Sequence, residues 1–91
     1  MSKVTLKGFI IVPSADLSVV KEELLRHKRL TLEESGCLIF EVTQNKVNPN
    51  RFDVKEEFVD KASFSIHQER VKNSYWGKVT VNVERHYEIF E

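Results

Sequence analysis

Residues Arg51 to His67, RFDVKEEFVDKASFSIH, constrain this chain more than any other stretch. Strand side chains alternate between two faces, so Phe52, Val54, Glu56 and Phe58 share one face and Arg51, Asp53, Lys55 and Glu57 the other. Such alternation over a whole strand length specifies one buried face. Glu56 interrupts the apolar row, where a core strand would carry valine or isoleucine. Burial of an unpaired carboxylate is costly, so this residue must be paired or have a raised pKa. Asp60 then caps a short helix, expected to reach roughly His67 to Glu69 with Ala62, Ile66 and Phe64 buried. An acid and an imidazole on consecutive elements, beside an aromatic surface, make the best candidate for a site.

The remaining segments read as a scaffold around that stretch. Val4 to Pro13 is a strand with Val4, Leu6, Gly8, Ile10 and Val12 in one row and Phe9 and Ile11 in the other. A strand apolar on both faces belongs inside a sheet covered on both sides, and in so short a chain a partner subunit is the natural second cover. Ser14 or Asp16 is placed to cap the next helix. Its stripe, Leu17, Val20, Leu24, His27 and Thr31, recurs at three- and four-residue spacing. The helix is expected to run to Glu34 or Ser35, with Gly36 as a left-handed stop. Cys37 to Gln44 is a strand with Leu38, Phe40 and Val42 on one face, and Asn45 to Asn50 is a hairpin loop leading into Arg51 to Phe58. Ser74 to Val79 reads as a helical turn carrying Tyr75 and Trp76. Val81 to Phe90 reads as a last strand, with His86 on its outer row beside Glu84 and Glu88.

The order is βαββαβ, a ferredoxin-like α+β arrangement with a four-stranded antiparallel sheet and both helices on one face. The first and third strands become its central pair. The other face, with Phe9 and Ile11, suggests face-to-face dimerisation. A chain of 91 residues suits one domain, 1–91, and not two. Lys plus Arg equals Asp plus Glu, 14 against 14, and the charges are interspersed. That balance leaves no electrostatic footprint for nucleic acid or an anionic membrane. A single cysteine, Cys37, cannot form an internal disulfide and reads as a small core residue. The opening segment MSKVTLKGFIIVP has an apolar run too short for a signal peptide or a membrane span, which favours the cytoplasm. Three histidines on three elements, without paired spacing, argue against a metal site.

Two patterns carry a resemblance. His27, Thr31, Glu34, Gly36, Cys37, Leu38, Phe40 and Val42 form H-x3-T-x2-E-x-G-C-L-x-F-x-V. Arg51, Phe52, Val54, Glu56, Phe58, Asp60, Phe64 and His67 form R-F-x-V-x-E-x-F-x-D-x3-F-x2-H. Together they resemble the antibiotic biosynthesis monooxygenase domain family, over nearly the whole chain. The resemblance implies a dimeric α+β barrel with a pocket between each sheet and its helices. It also implies oxygenation of polycyclic phenols or quinols by dioxygen, with no metal or flavin cofactor. Related members degrade haem, isomerise a signal molecule or have no established activity. The haem-degrading relatives use an Asn on the first strand and a Trp on the second helix. Here KVTLKGFIIV has no Asn and His67 stands near the place of that Trp, which disfavours haem.

Cofactor-free oxygenation asks for a base, a dry aromatic pocket and polar groups that hold a phenolate. His67 is the expected base and Glu56 its partner, orienting His67 or a substrate hydroxyl; otherwise Glu56 bridges to Arg85 or is exposed on a wet sheet face. His27, Trp76, Tyr75, Phe40 and Phe58 are the expected substrate-binding residues, though core packing accounts for Phe40 and Phe58 equally well. An isomerase or detoxifying enzyme acting on a small carbonyl compound would need the same acid and base without dioxygen. A ligand-binding dimer without catalysis would need only the pocket.

Overall fold

The computed structural model describes residues 3–91, so the first two residues of the expected 1–91 domain lie outside it. Four strands, β1 (Val4–Ile11), β2 (Cys37–Gln44), β3 (Arg51–Phe58) and β4 (Glu84–Phe90), combine with helices α1 (Leu17–Leu32), α2 (Lys61–Lys72) and α3 (Tyr75–Val79). The strands make one antiparallel sheet in the order β2-β3-β1-β4. This is the ferredoxin-like α+β order with one short helix added before the last strand. β1 and β3 are the central pair, with Val4 opposite Phe58 and Ile11 opposite Arg51.

The alternation read from the sequence holds on the helix-covered face. Val4, Leu6, Ile10 and Val12 are buried there with Phe52, Val54 and Phe58. Val20 of α1, Trp76 of α3 and Val83 join them, and Leu24, Phe64 and Val71 pack at the edge. Each large side chain so enclosed contributes about 1.5–3 kcal/mol, which makes this face the main source of stability. On the opposite face Phe9 is not bare. Its ring stacks on His86 at 4.6 Å, and the Arg51 guanidinium lies 3.9 Å from its centroid.

Several boundaries differ from expectation for physical reasons. β1 stops at Ile11, and Ser14–Asp16 forms a 3-10 turn after Pro13. Neither Ser14 nor Asp16 caps α1 through its side chain; the Ser14 hydroxyl instead meets the Asn50 amide at 3.1 Å. α1 ends at Leu32, short of Glu34, and Gly36 is not left-handed. Gly36 is needed for room, because a Cβ there would lie 2.2 Å from Ser63 Oγ on α2. In β2 a bulge between Cys37 and Ile39 leaves Leu38 without a cross-strand partner and half exposed, while Phe40 stays opposite Glu56.

α2 is capped as expected, with Asp60 Oδ1 accepting from the Ser63 N–H at 2.8 Å, but it continues to Lys72. Ala62 and Ile66 face outward, Ile66 being 68% exposed. The inward stripe is Phe64, His67 and Val71, and Ile66 lies about a quarter turn from it. β4 starts at Glu84, later than Val81, because Thr80 ends α3 and turns the chain there. The Val83 N–H donates to the Thr80 carbonyl, and Val81 is left exposed.

Gly8 lies opposite Tyr87 of β4, where the two strands approach closely. A Cβ at Gly8 would lie 1.9 Å from the His86 carbonyl oxygen, a backbone atom that cannot yield without parting the strands. Gly8→Ala is expected to destabilise the protein by about 2 kcal/mol or more. Urea midpoints for the two proteins check this, and an unchanged midpoint would refute the close approach.

Candidate functional site

His67 is the centre of the buried polar groups. It is 1% exposed, and each ring nitrogen faces a carboxylate. Nδ1 lies 3.0 Å from Glu34 Oε2 and Nε2 lies 3.4 Å from Glu56 Oε1. Glu34 also accepts from Arg70 Nε at 2.6 Å, and Arg70 Nη2 donates to the Thr31 hydroxyl at 2.9 Å. Burial alone would lower the His67 pKa, but the hydrogen bonds and charges of Glu56 and Glu34 more than reverse this, and the net shift is upward. With His67 protonated, the chain Glu56–His67–Glu34–Arg70 carries two negative and two positive charges. That balance is what lets four ionisable groups share a largely buried space.

Local sequence explains why these groups meet. Glu56 points inward because it shares its strand face with Val54 and Phe58, and β1 and β2 place Leu6 and Phe40 opposite it. Its partner is His67. Arg85, the other partner considered, donates instead to the Thr80 hydroxyl at 2.8 Å. Thr31 lies in the last turn of α1, and Glu34 follows in the turn before β2, extending the stripe of His27 and Thr31 by three residues. Arg70 follows His67 by three positions on α2, so both reach Glu34 from one face.

Aromatic rings wrap this network. Phe58 lies 4.7 Å from His67 between centroids, and Phe40 packs edge-on against His27 at 5.3 Å. His27 stacks on Trp76 at 4.5 Å with the rings parallel within 1°, and it lies 6.2 Å from His67. His27 is 4% exposed and its Nδ1 has no hydrogen-bond partner among the described residues. Burial, then the charges of His67 and Arg70, lower its pKa to about 3, so it is neutral. Burial, with Glu34 and Glu56 nearby, raises the Cys37 thiol pKa and makes it a poor nucleophile.

The structure therefore brings His67, Glu56, His27, Phe40, Phe58 and Trp76 into one contiguous cluster. Tyr75 stands apart from it, half exposed at the rim of a cleft. This cleft, of about 170 Å³, runs between α1 and α3 and reaches His27, Arg70 and Trp76. Sequence reasoning did not single out Glu34, Arg70 or Thr31 as site residues. The signal was present, since Glu34 and Thr31 continue the α1 stripe and Arg70 shares a helix face with His67.

The two buried histidines give opposite pH dependences. His67 has a raised pKa, so its contribution is complete below the ordinary value and is lost as pH rises through the folded one. His27 has a lowered pKa, so stability falls as pH drops from 6.5 toward about 3. Between pH 6.5 and 5 this loss is about 1.5–2 kcal/mol. His27→Phe is expected to flatten that part of the acid limb in urea titrations. An acid limb identical to that of the unmodified chain would show that His27 is not held neutral.

The comparisons with known proteins agree with this architecture. A conserved protein of unknown function from Bacteroides thetaiotaomicron, described as a possible oxidoreductase, superposes with a TM-score of 0.84 at 18% identity, over 99% of this chain and 97% of its own. A proposed antibiotic biosynthesis monooxygenase from Deinococcus radiodurans superposes with a TM-score of 0.80 at 15% identity, over 99% and 91%. Another from Nitrosomonas europaea gives 0.78 at 18% identity, over 97% and 85%. At such identities these likenesses speak for the fold alone. No curated protein matches the sequence. The pattern of the family described as Antibiotic biosynthesis monooxygenase matches residues 7–72, from β1 to the end of α2, and the chain belongs to that family.

Proposed function

We propose that this protein is a cofactor-independent monooxygenase acting on a quinol-like or polyphenolic small molecule. The observation that carries the reading is His67 held between two carboxylates and wrapped in aromatic rings, with Arg70 joining that network to an open cleft. Family membership supports the same reaction class. The substrate's hydroxyl lies in the cleft against Arg70, beside His27, Trp76 and Tyr75. Its proton passes to Glu34 and is held by the His67–Glu56 pair, whose raised proton affinity suits His67 to keep it. The guanidinium of Arg70 and the neutral His27 ring stabilise the phenolate left behind.

The electron-rich phenolate then reacts with dioxygen. One oxygen atom ends as a carbonyl on a hydrogen-bearing ring carbon ortho or para to the phenolate. The other leaves as water with two hydrogens, one from the hydroxyl and one from that carbon. The substrate supplies all the electrons, so the step needs no outside reductant. Phe40 and Phe58 keep the surroundings of His67 dry.

Oxygen uptake by the purified protein against a panel of quinols and polycyclic phenols tests this. Uptake is expected, with kcat rising as pH rises through a value above 6.5, because only neutral His67 takes a proton. His67→Gln is expected to lower kcat by roughly 10²-fold or more. Activity undiminished in the variant would remove His67 from the chemistry. Exchange of α-protons on small carbonyl compounds without oxygen uptake would point to enolisation instead.

We further infer a homodimer built on the open sheet face, with Phe9 and Ile11 at its centre. Sedimentation is expected to give twice the chain mass, and Phe9→Glu to give the monomer. A monomeric unmodified protein would refute the interface.

A further inference from the structure

The cleft between α1 and α3 carries a charge pattern that oxygenation of a neutral quinol does not require. Its α1 wall is Glu23, Arg26, His27 and Leu30, and its other wall is Arg70, Ser74, Tyr75 and Trp76. Arg26 is exposed and makes no ion pair among the described residues. Arg70 is anchored through Nε and Nη2 to Glu34 and Thr31, which fixes its orientation and leaves Nη1 without a partner among the described residues. A guanidinium pinned in this way loses little further freedom when it binds an anion.

His27 adds a third donor. Its ring is neutral and carries one N–H, on either Nδ1 or Nε2. Nδ1 is enclosed and has no acceptor, and an enclosed N–H without an acceptor is costly. The proton therefore belongs on Nε2, and His27 lines the cleft. The charges that bear on His27, from His67 and Arg70, are both positive. The base of the cleft is thus a neutral donor in a positive field.

We propose that the cleft selects a small hydroxy-aromatic carboxylate. Arg26 holds the carboxylate, Arg70 and the His27 Nε2–H hold the adjacent ring hydroxyl oxygen, and Tyr75 and Leu30 pack on the ring. An ortho arrangement of the two groups suits two guanidiniums on one cleft. Glu23 on the same wall repels a second carboxylate and favours a monocarboxylic acid. About 170 Å³ is less than a drug-sized pocket, so the ligand has one or two rings. This inference rests on the proposed oxygenase, whose substrate class it narrows to phenolic acids.

Trp76 is the only tryptophan, so its indole N–H gives a single, assigned NMR signal at the cleft. Titration under nitrogen compares salicylate with salicylamide, which has the same shape without the charge. Salicylate is expected to shift the Trp76 signal with a Kd at least about tenfold lower than that of salicylamide. Arg26→Gln is expected to abolish the difference, and added salt to shrink it. Equal affinities, a preference that survives Arg26→Gln, or binding that leaves Trp76 unmoved would each overturn the proposal. Failure of the oxygenase reading looks different. Arg26-dependent salicylate binding without oxygen uptake on any phenol leaves the acid cleft standing and removes the oxygenase. Uptake confined to neutral quinols removes the acid class and leaves the oxygenase.

Discussion

A histidine with a carboxylate at each ring nitrogen can exist in a protein interior only if its charges are balanced. Here the balance comes from Glu34, which serves His67 and Arg70 together. Removing one partner from a buried ion pair typically costs about 3–5 kcal/mol, because the other charge is left without compensation. The network therefore ties three separate pieces of chain: Glu56 from β3, His67 and Arg70 from α2, and Glu34 with Thr31 from the end of α1. Around His67 the packing is apolar and aromatic, with Phe58 and Phe40 against the ring, while Arg70 borders the cleft.

The two imidazoles of the cluster show how environment divides one residue type into two roles. His67 gains two carboxylates and holds its proton more firmly. His27, whose ring centre lies 6.2 Å away, gains only burial and positive neighbours and gives its proton up. Pairs of titratable groups driven apart in this way are the arrangement that proton-transferring sites use. Trp76 completes the division by stacking on His27, so the neutral ring is held flat between the core and the cleft. The same stacking places one wall of the cleft on the hydrophobic core, which gives the site a rigid base.

The fold was legible because two periodicities were clean. The alternation in β1 and β3 and the three-and-four spacing in α1 each specify a buried face, and the element order then leaves one sheet topology. Glu56 and His67 were legible as anomalies, an acid in an apolar row and an imidazole on the next helix. Glu34 and Arg70 were not, because a charged residue near a helix end or on a partly polar helix reads as solvated surface until the neighbouring element is in place. Gly36 shows the same limit. A glycine after a helix suggests a left-handed stop, whereas its purpose here is contact with Ser63, which lies far away in sequence.

By itself the sequence determined the element order, the inward faces of β1 and β3, the helix stripe and the family, since these follow from short-range alternation and from local motifs. Only the tertiary structure decided which acid meets which base. Whether Glu56 pairs with His67 or Arg85 depends on how far α2 lies from β3 and on where the chain turns after α3. Those distances are set by packing between elements distant in sequence, through the bulge at Leu38, the clearance at Gly36 and the stack of His27 on Trp76. A side chain's charge is written in the sequence, but its proton affinity depends on the neighbours that folding brings to it.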